Sequence, residues 1–224
     1  NTSTLGVIAA AAAGARLVGA TQEQTAAALA IAATQSAGLR VQFGSDIKPL
    51  HAGFAARAAV TAVQLAQHDI KASIAGALES FLAAYSPATQ QPQKLTQDWG
   101  APWRIVTPGL EFKPWPTCSG THGAALAALR LRKQWLATGK TSDNLIGAIE
   151  HIEIAFPPGG DVAAFVRQPV TGVEARFSLE YVIAECLLHG ELALTRFDAR
   201  PVDPLTAELA ARVTRTPDAS APPD

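Results

Sequence analysis

The chain has 224 residues, 48% of them hydrophobic and only 17% charged, with a formal net charge of −1. That length is ample for a buried core in one large or two modest domains, and the charge balance excludes a nucleic-acid face, a polybasic membrane anchor and an acidic disordered tail. Two cysteines cannot build a disulfide framework and no charged-then-apolar leader is visible, so the expectation is a cytoplasmic, reducing setting with a small molecule or a protein as partner.

The first hundred residues read as helix after helix. Thr2, Ser3 and Thr4 offer N-caps for a helix to about Val18, with Gly19 as its stop, and its alanines let neighbouring helices approach closely. Arg16 interrupts its apolar run, well short of the about 20 residues that a membrane span needs. Thr21 and Gln24 have the spacing of a capping box for a second helix ending near Gly38. From Ala52 on, Ala55, Ala56, Ala59, Val60 and Val63 mark one face of a third helix, and a fourth covers Ser73 to Tyr85. This half reads as an all-α bundle. "SPATQQPQKLTQDWGAPW" then reads as a loop or domain joint.

Beyond the joint, a helix is expected from about His122 to Leu136. "IEHIEIAF" alternates as a strand, with Glu150, Ile152, Ile154 and Phe156 on one side and Ile149, His151, Glu153 and Ala155 on the other. Phe177 to Leu188 returns to helix, with Leu179, Val182, Ile183, Cys186 and Leu187 as a buried stripe. Helix, strand, loop and helix make an α+β second part. The chain starts at Asn1, holds no Met and ends in "TRTPDASAPPD" without a visible closing element, which reads as a fragment or a trimmed chain.

Three polar groups stand at expected helix starts. In "GSDIKPLHAG", Pro49 fits the first helical position, Lys48 precedes it and His51 falls in the first turn. A cation there is unfavourable against the helix dipole unless an anion joins it, so the group reads either as a carboxylate or phosphate site or as a solvated lysine beside a packed histidine. "EFKPWPTCSGTH" repeats the layout: Lys113, then two stiffening prolines, then Cys118, Ser119, Thr121 and His122. Cys118 there is a candidate proton donor or acceptor, whereas Ser119 and Thr121 also read as simple caps and Trp115 as core filling. The third group is Asn1 to Thr4. Cys118, His122, Cys186 and His189 in principle supply four zinc ligands, but Cys186 belongs to an apolar stripe and no knuckle-like glycine turn is present. Glu185 and His189, four apart, are expected as an exposed pair; His68 and His151 are expected at the surface.

"TSTLGVIAAAAAGARLVGA", "FGSDIKPLHAGFAARAAV", "GLEFKPWPTCSGTH" and "ARFSLEYVIAECLLHGELAL", in this order, resemble the MmgE/PrpD family of 2-methylcitrate dehydratases, cis-aconitate decarboxylases and iminodisuccinate epimerases. The resemblance implies a mainly α protein: residues 1–108 as part of a large helical domain, 109–200 as a smaller α+β domain, and 201–224 as a helix and truncated tail. It implies an active site between the domains, with Lys48 and Lys113 entering from opposite sides, and a homodimer when the protein is full length. Both ends of the family pattern are missing, including a histidine that normally stands just before the "TST" block. The implied substrate is a small di- or tricarboxylic acid, handled without metal or organic cofactor and without nucleic acid or membrane.

In that reading Lys48 and Lys113 bind substrate carboxylates and developing negative charge, and either acts as a base if burial lowers its pKa. His51 and His122 transfer protons or bind carboxylate, and Thr2, Ser3, Ser119 and Thr121 contribute to binding. Cys118 stands where some relatives carry histidine. Dehydration of a 2-methylcitrate-like acid is the first expectation; epimerisation and decarboxylation are its alternatives, and a non-catalytic helical binding fragment is the reading from another class.

Overall fold

The structure, a computed structural model, describes residues 2–88 and 90–220. The chain divides into two compact units, Asn1–Gln42 with Asp46–Glu111 and Phe43–Ser45 with Phe112–Asp224.

The first unit is built on α1 (Thr2–Leu17), α2 (Gln22–Thr34), α3 (Ile47–Gln67) and α4 (Ala77–Tyr85). The α1, α2 and α3 helices pack on one another, and α4 rests on α2. Their shared core consists of alanine and valine: Val7, Ala11 and Ala15 from α1, Ala28 and Ala32 from α2, Ala55, Ala59, Ala62 and Val63 from α3. Such small side chains bring helix backbones close together, and α1 adds Gly6 and Gly14 toward α3, where a Cβ would stand 3.6 Å from Ala55 and 3.3 Å from Val63. The Thr21–Gln24 capping box forms in both directions.

Several local expectations change. Thr2, Ser3 and Thr4 lie inside α1 rather than capping it, and Asn1 lies outside the described residues. Helix α3 starts at Ile47, so Pro49 is its third residue, still within the turn whose N–H groups need no intrahelical partner. Its buried stripe is His51, Ala55, Ala59, Ala62, Val63 and Ala66, while Ala56 and Val60 face outward. The helix expected from Ser73 begins only at Ala77, behind Gly76 in a left-handed conformation.

The second unit contains α5 (His122–Ala137), α6 (Ser142–Ala148), β1 (Ile152–Phe156), α7 (Gly172–Ala175), α8 (Leu179–His189), α9 (Pro204–Ala210) and β2 (Val213–Pro217). Its centre is α8, packed by α5, α6 and α9. Every residue from Leu179 to Leu188 is buried, so the expected single stripe is instead a helix covered on all sides. Ser178 caps its start through the Tyr181 N–H, and left-handed Gly190 ends it. A Cβ on Gly190 would stand 2.7 Å from Arg132 Nη1, and Arg132 Nε donates to the Leu187 carbonyl at 3.1 Å. Only glycine leaves room for that arginine to close the helix end.

Where the sequence showed no closing element, Val213–Pro217 forms β2 and runs parallel to β1, from Ile152↔Val213 to Phe156↔Pro217. Ile152, Ile154 and Phe156 take the more buried face of β1, as their alternation predicts. Burial of α8 also takes Glu180 and Glu185 out of water, and each has an arginine. Arg215 grips Glu180 with two bonds of 2.7 Å. Arg196 pairs with Glu185, which is fully buried, so the exposed Glu185–His189 pair is corrected; His189 Nε2 lies 3.8 Å from its carboxylate. Burial pushes the Glu185 carboxyl up and Arg196 opposes it. Among the described residues no helix is long and apolar enough to cross a membrane.

Candidate active-site groups

In the first unit the segment 36–38 ties α1 to α4. The Thr4 hydroxyl donates to Ala37 O at 3.0 Å, the Ser36 hydroxyl to Thr4 O at 2.9 Å and the Tyr85 hydroxyl to Ser36 O at 2.7 Å. Gly38 follows with φ +99, and a Cβ there would stand 2.9 Å from Ser3 Cβ and 3.6 Å from the His51 ring. Both its backbone conformation and the space it leaves require glycine. The result is that Ser3 and His51, each more than nine-tenths buried, converge on one point. Lys48 is half-buried one turn before His51 on α3. Thr2 is exposed.

In the second unit the 113–122 stretch folds into a compact junction. Cys118 N–H donates to Arg176 O at 2.8 Å, and Ser119–Thr121 make one 3-10 turn that runs into α5. Neither Ser119 nor Thr121 acts as a side-chain cap. Thr121, fully buried, donates to Cys118 O at 2.7 Å and shares a 2.9 Å bond with the Thr117 hydroxyl. The Lys113 ammonium donates to Thr117 O at 3.4 Å, and the Cys118 thiol lies 3.8 Å from Ala163 O. Trp115 meets His122 edge-on, with centroids 5.3 Å apart. Ser119 stays exposed.

His122 is the electrostatic centre of this junction. Burial lowers its pKa below the ordinary 6.5; a hydrogen bond to the Thr117 backbone opposes this, and the nearby Lys113 charge adds to the lowering. Its Nε2 is buried without a hydrogen-bond partner. A neutral imidazole with an unmatched nitrogen, a primary ammonium and a thiol therefore share one junction, the equipment for binding a carboxylate and moving a proton. Sequence reasoning passed over Thr117, buried beneath Lys113 and Thr121; its signal was a second threonine one helical turn before Thr121. Among the described residues no three His, Cys, Asp or Glu side chains gather into a metal-binding group, and Cys186 is buried within α8, its thiol pushed up to about 12 by burial and then by Glu185.

The model of the MmgE/PrpD N-terminal domain matches residues 1–93, and that of the MmgE/PrpD C-terminal domain matches residues 115–224. The chain belongs to the MmgE/PrpD family. Among similar MmgE/PrpD-type proteins is the cis-aconitate decarboxylase of Mus musculus, 28% identical over 218 residues, which cover 94% of this chain and 43% of the relative. The Homo sapiens cis-aconitate decarboxylase is 27% identical over 219 residues, with the same coverages. A cis-aconitate decarboxylase-like protein of Aspergillus oryzae is 25% identical over 207 residues, or 87% of this chain and 42% of the relative. The chain thus spans less than half the length of the curated relatives it matches.

Proposed function

We propose that this protein works as a lyase on a small tricarboxylic acid, removing CO₂ from a cis-aconitate-like substrate. The observation that carries the reading is the 113–122 junction, where the Lys113 ammonium bonds Thr117 O, the Cys118 thiol faces Ala163 O and neutral His122 keeps a buried nitrogen without a partner. Decarboxylation breaks a C–C bond and leaves its electron pair on carbon, spread into the neighbouring unsaturated carboxylate. Lys113 holds the remaining carboxylates and the spreading charge, the Cys118 thiol delivers the proton that quenches the carbanion, and the unmatched nitrogen of neutral His122 is the acceptor through which the thiol is reprotonated; Lys48 of the first unit is proposed as a further carboxylate-binding cation. The names of the similar proteins favour CO₂ loss over the dehydration expected from sequence. Dehydration of a 2-methylcitrate-like acid remains the rival, since it passes through the same charge beside a carboxylate and needs the same cations.

Proton NMR of the protein in D₂O with cis-aconitate, citrate, 2-methylcitrate and iminodisuccinate tests this. Loss of a carboxyl carbon from cis-aconitate is expected; alkene formation from a hydroxy acid would assign dehydration instead, and exchange with inversion would assign epimerisation. Lys48→Ala and Lys113→Ala should each lower kcat/KM by about a hundredfold or more. Full activity in both variants would remove the proposed site.

A further inference from the structure

The 157–166 loop that follows β1 supplies the carbonyl facing Cys118; its far end pairs with the chain before α8 through Val166 N–H on Phe177 O at 3.2 Å, and the stretch around Ala163 is held by Arg215. Arg215, on β2 and with a side chain only 2% exposed, donates from Nη1 to Asp161 Oδ2 at 3.0 Å and from Nη2 to Val166 O at 3.3 Å. These two acceptors bracket Ala163, whose carbonyl receives the Cys118 thiol at 3.8 Å. The guanidinium itself cannot swing, because Nε and Nη2 both grip Glu180 at 2.7 Å and Ser178 bonds the same carboxylate at 3.2 Å. Arg167 adds bonds to Asp161 and Glu180 but is itself 56% exposed. The turn is further closed by Ala164 N–H on Asp161 O at 2.9 Å. The Gly160 carbonyl of the same loop lies 3.7 Å, and Cys118 Sγ 4.0 Å, from the point where a Cβ on Gly120 would stand, so a side chain at 120 would crowd both.

We propose that Arg215 is a positioning residue for Cys118: by clamping the loop on both sides of Ala163, it keeps that carbonyl against the thiol. A planar fork is needed for this, since one group must meet a carboxylate bidentately and two further acceptors at once. Lysine, a point donor, keeps the charge but drops the loop. The consequence for turnover rests on the function proposed above; the geometry and its test do not.

The test is site-resolved alkylation of the native protein with iodoacetamide at fixed pH, read by peptide mass spectrometry, with buried Cys186 as an internal reference for global opening. In Arg215→Lys, Cys118 should react about fivefold faster than in the parent, the weight of one net hydrogen bond, while Cys186 stays protected. Asp161→Asn, which keeps the shape and weakens one side of the clamp, should give a smaller rise of the same kind. It decides the matter alone if Arg215→Lys does not fold. An unchanged Cys118 rate with Cys186 protected overturns the proposal, and so does a parallel rise at both cysteines, which would make Arg215 a stability residue only. If the labelling behaves as expected and the lysine variants keep full activity, the positioning role stands and the proposed function falls.

Discussion

The two units hold their cores together by different means. The first relies on small side chains: the buried members of its core cluster, among the described residues, are alanines and valines, and its tightness comes from close helix approach at Gly6 and Gly14. The second buries large groups, Tyr181, Phe197 and Leu209, and with them Glu180, Glu185 and Arg215. An alanine core is sensitive to volume and indifferent to charge, whereas a core with buried ion pairs fails when one partner is removed. The contrast teaches where a candidate site finds rigidity. In the second unit, the ion pairs that stabilise the core also fix a loop beside the thiol.

The sharpest way to break this contrast is to remove one charge. Glu180→Ala leaves Arg215 buried without its main partner and should cost about 3–5 kcal/mol, read as a lower midpoint in urea. In the first unit the matching challenge is volume: Ala11→Leu pushes α1 away from its neighbours and should cost about 1–3 kcal/mol. If Glu180→Ala is tolerated as well as a surface change, the ion pair does not organise the second core. If Ala11→Leu is neutral, the close approach in the first unit is not structural.

Helix caps sharpen the same comparison on a smaller scale. Ser178 is fully buried, caps α8 and also bonds Glu180, whereas Thr21 makes its capping box in exposed surroundings. Both lose a cap on mutation to alanine, but only Ser178→Ala also strips a bond from a buried carboxylate. Expected costs are about 2 kcal/mol for Ser178→Ala and about 1 kcal/mol for Thr21→Ala, from paired thermal or urea melts. Equal costs would mean that the buried network adds nothing to the cap.

How much of this was legible in the sequence follows from the range of the interactions. The capping box at Thr21 and the alternation of Ile152, Ile154 and Phe156 depend on neighbours a few residues away, and both appear as read. The start of α3 was misplaced by two residues because Pro49 fits more than one first-turn position. Burial of Glu180 and Glu185 was missed because their partners, Arg215 and Arg196, are distant in sequence, and β2 was missed because its partner strand lies some sixty residues earlier. Two glutamates inside "LEYVIAECLLH" were the visible hint: carboxylates among aliphatic residues need cations from elsewhere. For the site, each polar group could be found as a group, but the meeting of Ser3 with His51 depends on Gly38, and that of Cys118 with Ala163 on a loop clamped from β2.

The smallest effect is a titration. The junction at His122 in the second unit should respond to mild acid. Its folded pKa is lowered from 6.5, first by burial and also by Lys113, with the Thr117 backbone bond opposing. Below 6.5 the unfolded chain therefore takes up a proton that the folded junction resists, and the unfolded state binds more protons. Stability from this group is present in full above that pH and is lost as pH falls through 6.5 toward the lowered folded value. Glu185 works in the other direction, since a raised carboxyl pKa favours the folded state on the acid side. The quantity to read is therefore the difference between the parent and His122→Gln, both unfolded in urea at neutral pH and about one unit below 6.5. The parent should lose more stability than the variant over that interval. Parallel losses would mean that His122 titrates as it does in the unfolded chain, and that its unmatched nitrogen is in contact with water.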